Sequence, residues 1–75
     1  MHYVSIDSFC ERTGLNVTDV SKYEEQGVIS SVHKGAHRFF SLRELYRMKG
    51  ILFLMRTSGL TINEAIVRMD SNISA

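Results

Sequence analysis

The sequence predicts a mainly α fold of four helices with one small β-hairpin, and three observations carry the prediction. Apolar residues recur at helical spacing in separate windows. Those windows open on capping side chains or close on glycines. Between them lies "VISSVHKGAHRFF", β-branched and aromatic on both sides of Lys34-Gly35-Ala36.

Ser5 is a candidate cap for the first helix, about 6–13, in which Ile6, Phe9 and Cys10 share one face before Gly14 ends it. Asn16 caps the second, about 17–26, which closes at Gly27. Its inward face is Val17 and Val20 with Tyr23, and Thr18, Asp19, Ser21, Lys22 and Glu25 face outward. The hairpin follows at about 30–40, with Gly35 supplying the positive φ of its turn. Ser41 and Glu44 make a capping box for a third helix, about 42–57. Leu42, Leu45, Met48, Leu52 and Met55 form its stripe, and Ile51, Phe53 and Leu54 widen it until it needs cover from more than one side. Gly50 in its middle costs about 1 kcal/mol relative to alanine, so another element is expected to pack closely there. After Gly59, Thr61 and Glu64 make a second box for a fourth helix, about 62–69, and residues 71–75 read as a flexible tail or the start of a linker.

Seventy-five residues make a single domain with one small core, too little for a roomy catalytic cleft, so no enzyme is expected. No nucleophile–base pair and no phosphate-cradling glycine loop stands out either. The chain is 44% apolar and 23% charged, as globular proteins are. It shows no run long enough for a membrane span and no secretory leader, which favours the cytoplasm. One cysteine, Cys10, makes no internal disulfide and reads as packing. His33 and His37 have H-x-x-x-H spacing, but Gly35 between them argues for a turn and no third ligand is near. Neither a metal nor any other cofactor is expected.

Net charge is only +1, but it is unevenly spread. Residues 1–29 set Arg12 and Lys22 against Asp7, Glu11, Asp19, Glu24 and Glu25, a balance of −3. Residues 33–49 set Lys34, Arg38, Arg43, Arg47 and Lys49 against Glu44, a balance of +4. Helix, short turn, helix, basic hairpin and two further helices together describe a winged helix-turn-helix. Such a unit suits double-stranded DNA, with the second helix in the major groove and the hairpin on the flanking backbone.

"GLNVTDVSKYEEQGVI", "GAHRFFS" and "LRELYRMKGILFLMRTSGLTINEAI" resemble the MerR-type regulators of bacteria across almost the whole chain. Gly14, Tyr23, Glu24, Gly27, Ile29, Gly35, Arg38, Phe40, Ser41, Gly59 and Glu64 fall in the family's order. "GLTINEAI" is also similar to the domains fused to cobalamin-binding light sensors. The resemblance implies transcription regulation, with DNA contacts from Thr18, Ser21 and Lys22 on the second helix and from Arg38 in the wing, beside Lys34 and His37. Arg43 and Arg47, four residues apart, add phosphate contacts from one face. Family members usually carry arginine at the Ser21 position and an aromatic at the Lys22 position. Here Asp19, Glu24 and Glu25 make the reading helix acidic, which weakens phosphate attraction. The family's long dimerisation helix does not follow, so either the chain continues past Ala75 or it is a small protein in its own right. Affinity then calls for two copies on a two-fold site. The rival readings are a phage-type excisionase that bends DNA, and an adaptor whose acidic second helix binds a protein.

Overall fold

Local capping sets the element boundaries. The computed structural model describes residues 2–74. Strand β1, Tyr3–Ser5, leads into α1, Ile6–Thr13, where Ser5 accepts a hydrogen bond from the Ser8 N–H (3.2 Å). Helix α2, Val17–Glu25, starts where the Asn16 side chain accepts from the Asp19 N–H (2.8 Å). Between the two helices the buried Thr13 does more than end a turn. Its hydroxyl donates to the Phe9 carbonyl (2.7 Å) and accepts from the Leu15 N–H (3.3 Å), fixing the corner of the helix-turn-helix.

The hairpin consists of β2, Val32–Lys34, and β3, His37–Ser41. Lys34 pairs with His37, which leaves a two-residue turn, and Gly35 at its first position has a φ of 62°. A positive φ at that position is what a primed hairpin turn demands. The hairpin is not a lone pair of strands, however. β1 adds to its other side, giving a three-stranded antiparallel sheet in the order β1-β3-β2, with Val4 opposite Phe40.

Helix α3, Leu42–Ser58, and helix α4, Ile62–Ser74, complete the chain. Only half of the Ser41–Glu44 box forms. The Ser41 hydroxyl accepts from the Glu44 N–H (3.3 Å), while the Glu44 carboxylate turns to the Ser30 N–H (3.3 Å) and ties down the chain entering the wing. The Thr61–Glu64 box is complete, with both reciprocal bonds at 2.9 and 3.2 Å. Hydrogen bonds from the Thr61 backbone and side chain hold the Glu64 carboxyl below its ordinary range. Helix α4 is longer than the expected 62–69 and runs to Ser74; Ala75 lies outside the described residues.

The buried residues form one cluster. Phe9 of α1 stacks on Phe40 of β3 at 4.1 Å between ring centroids, with Val20, Val28, Ile29, Leu45, Met48, Ile51 and Ala65 around them. Val17, expected inward, is 49% exposed instead. The close approach expected at Gly50 is present: a Cβ there would stand 2.7 Å from Cε and 2.9 Å from Sδ of Met69 on α4. Those atoms are the free end of a flexible side chain that is only partly buried. Gly50→Ala is therefore expected to change stability by less than about 1 kcal/mol, because the gain in helix propensity offsets the shift of Met69. Gly50→Leu is expected to force α3 and α4 apart at a cost of about 1–3 kcal/mol. Urea denaturation of both variants checks the pair, and a large loss in the alanine variant would mean that Met69 cannot yield.

Candidate nucleic-acid interface

The outward face of α2 and the wing beside it form one surface, and a charge pair joins them. Strand pairing places His33 opposite Arg38 on one face of the sheet, and Val32 opposite Phe39 on the other. The first face turns toward α2, where the Arg38 guanidinium (Nη2) donates to Glu24 Oε1. The Ser31 hydroxyl donates to the other carboxylate oxygen, Oε2, at 2.7 Å, and His33 Nε2 lies 3.4 Å from that hydroxyl. Both charged side chains are largely sheltered, at 26% and 22% exposure. Burial works against ionised Glu24, but the Ser31 bond, the Arg38 bond and charge, and the charge of His33 prevail and hold its carboxyl below the ordinary value. The Arg38 Nε is buried without a hydrogen-bond partner among the described residues.

This clamp changes the electrostatics of the helix. Glu24 is bound and neutralised, Asp19 is half-buried, and Glu25 alone of the three is exposed. Thr18 and Lys22 are exposed and Ser21 is half-buried at the edge of the clamp. Among the described residues Lys22 pairs with neither Asp19 nor Glu25, so its ammonium is left to solvent. At the wing, Lys34 and His37 are exposed on either side of the turn, and the His37 ring tilts toward Phe39 at 6.4 Å.

On α3, Arg43 and Arg47 diverge in role. Arg43 is exposed. Arg47 donates through Nε to the Val28 carbonyl (3.3 Å) and through Nη1 to Asp70 Oδ1 (2.7 Å), linking the segment after α2 to α4. Sequence reasoning did not find Ser31, Asp70 or the Ser30 contact of Glu44. Each meets its partner across 7 to 23 residues, where no periodicity signals it.

Cys10 stays out of this chemistry: burial and then the charge of Asp7 raise its thiol pKa, although Arg38 pulls the other way. A thiol so placed remains protonated at neutral pH. Among the described residues no group of three or more His, Cys, Asp or Glu side chains could hold a metal ion, and no helix is long and apolar enough to cross a membrane.

Two helices joined at the Thr13 corner, with a sheet-borne wing clamped against the second, define a winged helix-turn-helix protein. The model for the MerR helix-turn-helix family of regulatory proteins matches residues 4–72, and the chain belongs to that family. No curated relative and no solved structure matches it.

Proposed function

We propose that this chain binds double-stranded DNA sequence-specifically, in the cytoplasm, as the DNA-binding part of a MerR-type transcription regulator. The observation that carries the reading is the Arg38–Glu24 clamp. It fixes the wing against α2 so that helix and wing present one surface, and it removes a carboxylate that would repel phosphate. Thr18, Ser21 and Lys22 meet the major groove, and Lys34, His37 and Arg43 meet the sugar-phosphate backbone. Arg38 orients the wing from the shallow groove it shares with Ser21, Glu24 and Glu25, and Arg47 braces the scaffold that carries Arg43. Because one module of this size offers limited contact area, two copies act together on a two-fold-related site.

Titration of random and palindromic duplexes at several salt concentrations tests the reading. Log affinity is expected to fall linearly with log salt, and Lys34→Ala or Arg43→Ala each to flatten the slope by about 0.9, one phosphate contact apiece. Absence of binding at low salt, even for a forced dimer, would favour the adaptor. Spreading along adjacent sites with strong bending would favour the excisionase.

A further inference from the structure

Val17 is an apolar side chain that the core does not use. It is 49% exposed and is not among the residues packed against the buried cluster. Single exposed apolar residues are common on protein surfaces, so its position is what matters. It shares the first turn of α2 with exposed Thr18, and Ser21 follows one turn later on the same side. The only charge in that turn is the half-buried Asp19, and the one cation of the helix, Lys22, comes in the last turn. Nothing in the first turn can therefore make the bidentate contact by which arginine or lysine reads guanine. What the turn presents is methyl groups: two from Val17 and one from Thr18. Both side chains are β-branched and stiff at χ1, so little rotamer freedom is lost when they are pressed against a surface.

We infer that Val17 and Thr18 form a methyl-reading patch that contacts the C5-methyl group of a pyrimidine in the major groove, with thymine as its natural source. The inference rests on the proposed DNA-binding function. In helix-turn-helix proteins the opening residues of the second helix reach the base edges. The C5-methyl of thymine is the one apolar group on the major-groove edge of unmodified base pairs. Burying one methyl between apolar partners is worth about fourfold in affinity. The patch thus supplies sequence discrimination at a place where the helix has no cation to supply it.

The test starts from a duplex selected for tight binding. Each thymine in turn is replaced by uracil, which deletes the methyl and leaves every hydrogen-bonding group in place. At one or two positions the wild-type protein is expected to lose about fourfold in affinity per methyl. For Val17→Ala the same replacement should cost less than about twofold, while the salt slope, set by phosphate contacts, stays as in the wild type. At that position cytosine and 5-methylcytosine are also compared. A gain on methylation of cytosine together with thymine above 5-methylcytosine assigns the site to thymine, and 5-methylcytosine above thymine overturns that choice of source. Equal affinity for thymine and uracil at every position, with tight and salt-dependent binding intact, overturns the patch and leaves the DNA reading standing. Loss of binding to every duplex at low salt overturns the DNA reading and the patch with it. Circular dichroism of the alanine variant confirms its fold.

Discussion

Phe40→Ala is expected to lower stability by about 3–5 kcal/mol, the range found for removing a buried aromatic ring. Phe40 is fully buried, stacks on Phe9 at 4.1 Å, and sits on the central strand opposite Val4. Its loss opens a cavity where the sheet, α1 and α3 meet. A chain of 75 residues has a total stability of about 4–11 kcal/mol, so the variant is expected to lose a large share of it and to melt well below the wild type. Phe39 is the internal control. It lies next in the sequence but on the outer face of the sheet, half-buried, and Phe39→Ala is expected to cost less than half as much. Chemical denaturation of both variants decides, and equal losses would mean that the sheet's two faces are misassigned.

Breaking the clamp is the second large effect. Arg38→Met keeps the apolar stem but leaves Glu24 as a sheltered carboxylate with the Ser31 hydrogen bond and the charge of His33 to hold it. A hydrogen bond to a charged group is worth about 1.5–3 kcal/mol, and a loss of stability in that range is expected. DNA affinity should fall about tenfold or more, because the wing loosens and an unpaired negative charge appears beside the reading helix. Glu24→Gln in the same chain removes that charge, so the double variant should recover most of the affinity. A double variant no better than Arg38→Met would show that the loosened wing or a DNA contact of Arg38, and not the bared Glu24 charge, accounts for the loss. The clamp also carries a pH signature. Glu24 is held below its ordinary value of 4.5 in the fold, so its stabilisation is fully present above that pH. As the solution is acidified further, through the lowered folded value, the carboxylate takes up its proton and the contribution is lost. Carbon-detected NMR titration of Glu24 should show the midpoint rising in Arg38→Met.

The helices were legible because their signals are local. Ser5, Asn16, Ser41 and Thr61 each act within three residues of themselves, and the apolar stripes repeat within one or two turns. Strand β1 was not legible. It has three residues and one half-buried side chain, Val4, and it is held by residues 39–41 far along the chain. The site was partly legible. The basic character of the wing and the acidity of α2 could be tallied, but a tally cannot say which charges meet. The pairing of Arg38 with Glu24, 14 residues apart, needs the hairpin register and the Thr13 corner together. Val17 was misplaced for a related reason. An apolar residue at the first position of a helix satisfies the inward pattern on paper, yet only the packing of the neighbouring elements decides which side is covered.

The pairing of β1 with β3 also orders events during synthesis. Val4 has no strand to join until Phe40 has been made, and the Leu42 N–H bonds the His2 carbonyl (3.2 Å), so the seam closes only once α3 has begun. While the chain emerges from the ribosome, α1 and α2, eight and nine residues long, are too short to persist as isolated helices, and their common core still lacks its central ring. The helix-turn-helix and the wing are thus one cooperative folding unit rather than a finished reader with an appendage added later.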